Sequence, residues 1–420
     1  MWFSSWLAAA IGNRSSAIGR GLRKPKAGGR NSTRFRPRLE ILEDRCLPST
    51  LTVLITNDSG PGSLRAEIAA AQSGDTIVFD PSLAGQQIFL TSGQLVINTS
   101  LIIEGPPPHP ETFLFFVEIS ASPNGIGLSR VFDITSSNAN VTLDNLGIEN
   151  GSANNGAGIK NGGTLTLNNC QVSGCVSGFP QHAGDGGGVD NTGTMFINNS
   201  TLFSNIAANG GAIANHGNMT ITNSLFASNG AGNGSGIDNA GTLSVQGCLF
   251  EDLTGGFIRI DDVANFGTLT VTGSTFLPFG GEDALGNFGN AVLQNDVFLE
   301  TLLNQANMTV TNCTISTPFF FGGPGIDNTG TMSLVGSTVS GWDSVGGNGG
   351  GIANSGTLTV SSSTITGNSA NDGGGIFNTG TLYVTNGSNV TGNTAPSGAD
   401  LYNLGTVQIS SDSTVGVIGP

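Results

Sequence analysis

Apolar and polar positions from residue 151 onward repeat one phrase eleven times, Ile-x-Asn-x-Gly-Thr-Leu-x-Val, seen almost unaltered at Ile352-Ala353-Asn354-Ser355-Gly356-Thr357-Leu358-Thr359-Val360. Its Asn falls at Asn161, Asn191, Asn215, Asn239, Asn265, Asn287, Asn304, Asn328, Asn354, Asn378 and Asn403, in steps of 22 to 26 residues with one of 30 and one of 17. Two residues before each Asn stands an aliphatic side chain such as Ile159, Ile213 or Ile376, and after it come alternating pairs such as Leu165 and Leu167 or Leu243 and Val245. This period-two alternation predicts short strands with one face inward. A third inward position follows a turn, and four consecutive repeats place Phe226, Phe250, Phe276 and Phe298 there.

A fixed period of this length predicts stacked supersecondary units. No repeat holds the run of about ten residues with 3.6 periodicity that a helix-bearing unit needs. Three short strands per repeat therefore predict an all-β solenoid, a parallel β-helix of about eleven coils over residues 151–420, some 50 Å long at the inter-strand spacing. Four inward side chains per coil contribute about 6 to 12 kcal/mol, well below the backbone entropy lost in ordering a coil. Coils must therefore stabilise one another. The Asn and Gly of the phrase both tolerate left-handed backbone at a tight turn, and an Asn column can hydrogen-bond along the axis, which makes those Asn structural.

Upstream, Ser63 is placed to cap a short amphipathic helix in which Leu64 and Ile68 lie one turn apart. Such a helix would cover the open end of the rod, where bare strand edges invite aggregation. The strand Thr76–Phe79 follows. Leu95–Ile97 and Leu101–Ile103 read as the first irregular coils, so residues 49–150 form an N-terminal cap leading into the regular array. Pro106, Pro107, Pro108 and Pro110 mark a loop, after which Phe113–Ile119 and Val131–Ile134 rejoin the rod.

Charge divides the chain unevenly. Ten of the 14 Lys and Arg but only three of the 29 acids lie in residues 1–50, so that stretch carries +7 and the remainder −22. The acidic rod repels nucleic acid and excludes it as a partner. Residues 1–48 read as a disordered basic arm. Their apolar run from Trp6 to Gly12 is too short to span a bilayer, and its charges lie on the wrong side for a standard signal peptide. Of the five cysteines, Cys170, Cys248 and Cys313 occupy the position held elsewhere by Ser200, Ser224, Ser274, Ser337 and Ser363. Cys175 aligns with Asn205, Asn229 and Asn368, and the spacing leaves a Cys170–Cys175 bridge open without calling for it.

Three resemblances add to this reading. The run Arg36-Pro37-Arg38-Leu39-Glu40-Ile41-Leu42-Glu43-Asp44-Arg45 resembles the leader found at the start of many bacterial cell-surface proteins, which implies export. The order from Asn57-Asp58-Ser59-Gly60-Pro61-Gly62-Ser63-Leu64-Arg65 through Asp75-Thr76-Ile77-Val78-Phe79-Asp80 to the Gly-rich coils resembles right-handed parallel β-helix proteins of the pectate-lyase-like superfamily. Gly210-Gly211-Ala212-Ile213 with Phe226-Ala227-Ser228-Asn229 is similar to the paired signature of polymorphic outer-membrane protein repeats. Those proteins end in a membrane barrel. Here Pro420 follows the last coil closely, so anchoring through such a barrel is not expected.

Candidate chemistry lies where the repeat breaks its rule. Asp261, Asp283 and Glu300 share one repeat position in three consecutive coils, where sister coils carry small residues, and stacking would set them about 5 Å apart. Asp262, Arg259 and Glu282 lie beside them. Three readings follow: a solvated acidic stripe, a Ca²⁺ site using Asp261, Asp262, Asp283 and Glu300, or a catalytic carboxylate pair from Asp261, Asp283 and Glu300 with Arg259 as base. Asp190, Asp238 and Asp327 recur at an outward position and read as solvated, and His216 reads as an incidental occupant of an exposed turn. With four basic residues outside the first 50, the chain has little equipment for polysaccharide cleavage. The resulting expectation is an exported, non-enzymatic structural or adhesive rod of the cell envelope or extracellular space, without a transmembrane segment, whose partners are glycans or envelope proteins. A polysaccharide lyase or hydrolase is the alternative, and end-to-end self-association the third course.

Overall fold

The computed structural model describes residues 48–107, 116–122, 129–178, 181, 183–251, 261–277, 283–317 and 322–420. The basic arm, the leader-like run up to Leu47, Arg259, Glu282, part of the proline-rich loop and Phe113–Phe115 lie outside the described residues. The remainder is a parallel β-solenoid. Among the described residues the only α-helix is Leu64–Ala70, capped by the Ser63 hydroxyl accepting from the Ala66 N–H at 3.2 Å, and it packs against the first strands of two sheets.

Each coil contributes one strand to each of three long parallel sheets. Sheet I has 15 strands, from Thr50–Val53 to Thr406–Ile409, sheet II has 14 and ends at Thr414–Val415, and sheet III has 14, from Leu95–Ile97 to Ile418–Gly419. A typical coil runs from Ile213–Asn215 in sheet III through Asn218–Thr222 in sheet I to Leu225–Ala227 in sheet II. The sheets extend upstream of the regular repeats without a break, since Asp75–Phe79 and Leu101–Glu104 stack in line with Asn140–Asp144 and the strands beyond it. The rod is accordingly about fourteen turns long, longer than the eleven recognisable phrases, because a coil needs inward apolar side chains but not the whole motif.

The inward columns follow the repeat. Phe226, Phe250, Phe276 and Phe298 form one internal stack with successive centroids 4.8, 4.5 and 4.8 Å apart and planes within 21° of parallel. The phrase Asn residues form a continuous buried ladder: Asn161 Nδ2 donates to Asn191 Oδ1 at 2.7 Å, and the same bond recurs coil by coil to Asn403. Each amide thereby satisfies a polar group that would otherwise be stranded in the core. A second column is made of Ser and Cys with one Asp, Asp296, and in it the Cys170, Cys248 and Cys313 N–H groups donate to the hydroxyls of Ser200, Ser274 and Ser337. Cys170, Cys175, Cys248 and Cys313 are free and buried, so no Cys170–Cys175 bridge forms.

One expectation is corrected. The left-handed backbone does not fall on the Asn and Gly of the phrase. It falls at the corner between sheets I and II, at Asn169, Asn199 and Asn223 with φ of 49–50°, and at Gly186, Gly210 and Gly234 three residues before the sheet III strands. The phrase glycine is required for a different reason. A Cβ on Gly241 would stand 2.1 Å from the Gly217 carbonyl oxygen of the preceding coil, so the close approach of neighbouring turns selects it.

Candidate functional site

The outward side of sheet III and the turn that follows it gather most of the unusual chemistry. Register places Lys160, Asp190, Ala214, Asp238 and Ala264 in one outward file. The next residue but one in each coil forms an exposed ridge whose N–H donates to the ladder-Asn carbonyl one coil back: Thr192 to Asn161, His216 to Asn191, Ala240 to Asn215, Phe266 to Asn239 and Phe288 to Asn265, all at 2.8–2.9 Å. Main-chain bonding holds the ridge in register whatever its side chains are. That freedom lets the side chains vary.

The expected solvation of the outward aspartates fails at Asp190, while Asp238 and Asp327 are half-buried. Asp190 is only 3% exposed, because the preceding connection doubles back over the strand. An added Cβ at Gly156 would stand 2.9 Å from the Asp190 Cβ. Burial pushes the Asp190 carboxyl up, opposed by His216 and Lys160. His216 is correspondingly more than an incidental turn residue: its Nδ1 lies 3.3 Å from Asp190 Oδ1, with the His side chain 41% exposed. Asp238, two coils along the file from Asp190, is raised to about 6 by burial, partly offset by the His216 ring. Its Oδ1 makes no hydrogen bond within the protein. Burial also raises Asp327.

The carboxylates singled out by the broken repeat do not align as expected. Asp283 pairs with Thr301, and the register slips between Asp283 and Leu285, so Glu300 is displaced from the file that Asp261 and Asp283 share. The cause is the short 17-residue step from Asn287 to Asn304, which Ala284 absorbs as a bulge. The three do not form one evenly solvated stripe, since Glu300 is buried while Asp261 and Asp283 are half-buried. Asp261 turns its carboxylate over the sheet, where a Cβ on Gly286 would meet Oδ2 at 1.9 Å. Burial, then the Asp283 charge, pushes the Asp261 carboxyl to about 7. Asp261 and Asp283 are therefore electrostatic neighbours. Among the described residues no group of three or more His, Cys, Asp or Glu is placed to hold a metal ion.

The inward-pattern reading of the sequence passed over one feature on the ridge. Phe266 and Phe288 are 48% and 36% exposed, and their rings stack 4.9 Å apart at 11°. Phe377 and Tyr402 make a second stack, at 5.4 Å and 15°. Reading the variable residue of Asn-x-Gly down the repeats would have found the first pair, since it is the one ridge position filled by Phe in successive coils.

No family profile matches the sequence, and no curated protein sequence matches it. Among solved structures the chain is similar to pectate lyase Pel9A, with 16% identity over 89% of this chain and 78% of that one at a TM-score of 0.29. It is similar also to the ORF18 protein of Geobacillus virus E2, with 14% identity over 87% and 63% at 0.33. A third is tailspike protein 3 of bacteriophage CBA120, with 10% identity over 84% and 58% at 0.30. The parallel β-solenoid is established by the chain's own sheets, independently of these partial superpositions.

Proposed function

We propose that the chain is a non-enzymatic β-helical rod of the cell envelope or extracellular space that binds glycans along its outer surface. The observation that carries this reading is the solvent-exposed stack of Phe266 and Phe288. Large apolar groups kept in water on a rigid scaffold mark interaction sites, and an aromatic face offers the apolar C–H side of a sugar ring a flat partner. The surroundings supply hydrogen-bonding groups, for sheet I turns Thr220, Ser244, Thr270, Thr309, Ser333 and Thr359 outward in file, interrupted by Val292. Among the described residues no helix is long and apolar enough to cross a membrane.

A second reading draws on Asp261, whose carboxyl near 7 beside Asp283 suits proton transfer at a glycosidic bond. One experiment separates the two. The full chain is incubated with cellohexaose, N-acetylchitohexaose and hexagalacturonate, with and without Ca²⁺, while binding is followed by calorimetry and products by reducing-end and unsaturated-uronate assays. Binding without new ends supports the rod, new ends abolished by Asp261→Asn support the enzyme, and neither binding nor cleavage overturns both.

A further inference from the structure

The ridge does more than expose two rings. Its tiers run His216, Ala240, Phe266, Phe288, one per coil and bonded identically to the Asn ladder. The last two stack at 4.9 Å, the spacing of the coils themselves. Ala240 is exposed and has only a methyl group, so the ridge is lowest there, one tier from His216 on one side and one tier from Phe266 on the other. Those two walls are two tiers apart, about 9.6 Å at the inter-strand spacing. A single ring in contact on both faces occupies about 7 to 8 Å. The notch is therefore one ring wide.

Its rim is polar. His216, in ion-pair contact with buried Asp190 at 3.3 Å, is half in solvent and offers a ring nitrogen to a hydroxyl. Asp238 sits on the strand leading to Ala240, is electrostatically coupled to His216, and has an Oδ1 without a protein hydrogen bond. An apolar wall with a few polar groups on its edge is the usual composition of a small-molecule subsite. The carboxylates of Asp190 and Asp238, together with that of Asp261, which reaches over Gly286 two tiers along the file from Asp238, disfavour an anionic ring at this place.

We propose that the notch at Ala240, between His216 and Phe266, is a sugar subsite that takes one uncharged pyranose ring of a linear glycan crossing the ridge. This rests on the glycan-binding reading and narrows it to one place and one ligand class. The ring continues the stack begun by Phe288 and Phe266 as its third member, and the rest of the glycan runs across the ridge because the linkages lie in the plane of the stacked ring.

The test uses the full chain and three probes, cellohexaose, N-acetylchitohexaose and hexagalacturonate, titrated by calorimetry. Wild type is expected to bind at least one of the two neutral hexasaccharides and to discriminate against hexagalacturonate at least tenfold. Ala240→Phe fills the notch with the residue its neighbours already carry, and should weaken binding at least tenfold with an unchanged melting midpoint. Phe266→Ala removes a wall and should do the same, while Phe196→Ala, an exposed ring on sheet I, should leave affinity within twofold. If Ala240→Phe does not fold, Phe266→Ala against Phe196→Ala decides the matter. Neutral-glycan binding that survives filling of the notch or removal of its wall, or a preference for hexagalacturonate, overturns the subsite and leaves the glycan-binding rod standing. Binding to none of the three overturns the rod reading with it.

Discussion

The interior Asn ladder and the exposed ridge are adjacent in sequence, one residue apart in every coil, yet they obey opposite rules. In the ladder each amide donates to the next, so a residue is fixed by the coils above and below it. On the ridge the bond common to every coil is made by the main chain, so Thr192, His216, Ala240 and Phe266 succeed one another with the same N–H to carbonyl bond. Stacking thus makes the inside repetitive and leaves the outside free. Function in such a rod belongs to the positions whose identity the stack does not need.

The comparison breaks most readily in the core. Phe250→Ala, in the middle of the aromatic column, should destabilise by about 3 to 5 kcal/mol, read as a shift in the denaturation midpoint. Loss below about 1 kcal/mol would mean that the column does not contribute as stacked. Gly241→Ala should follow, because its methyl would meet the Gly217 carbonyl at 2.1 Å, with a loss of about 2 to 4 kcal/mol. Asn265→Ala removes the ladder acceptor of the Asn239 amide, which keeps only the Gly241 and Thr268 carbonyls, and should cost about 1 to 3 kcal/mol. Substitution at the ridge next door, Phe266→Ala, should fall within about 1 kcal/mol while abolishing neutral-glycan binding.

The smallest effect is one of pH, and its sign is unusual. Asp261, Asp238 and Asp296 carry raised folded values of about 7, 6 and 6, in each case chiefly from burial. The folded chain therefore binds more protons than the unfolded chain between about pH 4 and pH 7. Stability should rise as the pH falls through that window, lifting the melting midpoint by a few degrees between pH 7.5 and pH 5. The exposed or hydrogen-bonded carboxylates with lowered values, Asp58 and Asp80 among them, act in the opposite sense only below about pH 4. Asp261→Asn should remove much of the slope. A midpoint that falls steadily from pH 7.5 to 5 would contradict the buried state of these groups.

Much of this architecture could be read directly. The helix cap at Ser63 follows from local sequence, and the Phe file, the Asn ladder and the Ser/Cys column follow from residues that recur at one phase, because a stacked coil converts sequence period into spatial contact. The outward chemistry was less legible. Nothing in the spacing of Asp190 or Asp238 says that a connection folds back over them, since that depends on the glycines three residues upstream adopting left-handed backbone. The displacement of Glu300 likewise depends on where one shortened coil loses a residue. Sequence alone could place the three carboxylates at a common phase but not foresee the bulge at Ala284.

What the sequence determined by itself is the rod, its inward columns and the identity of the ladder residues, for these are set by one-dimensional periodicity and by the need of buried amides for partners. Only the tertiary structure decided that Asp190 is buried, that His216 meets it and that Glu300 leaves the file of Asp261 and Asp283. Those features arise from contacts between connections and turns of different coils, where lengths vary and no period constrains the outcome.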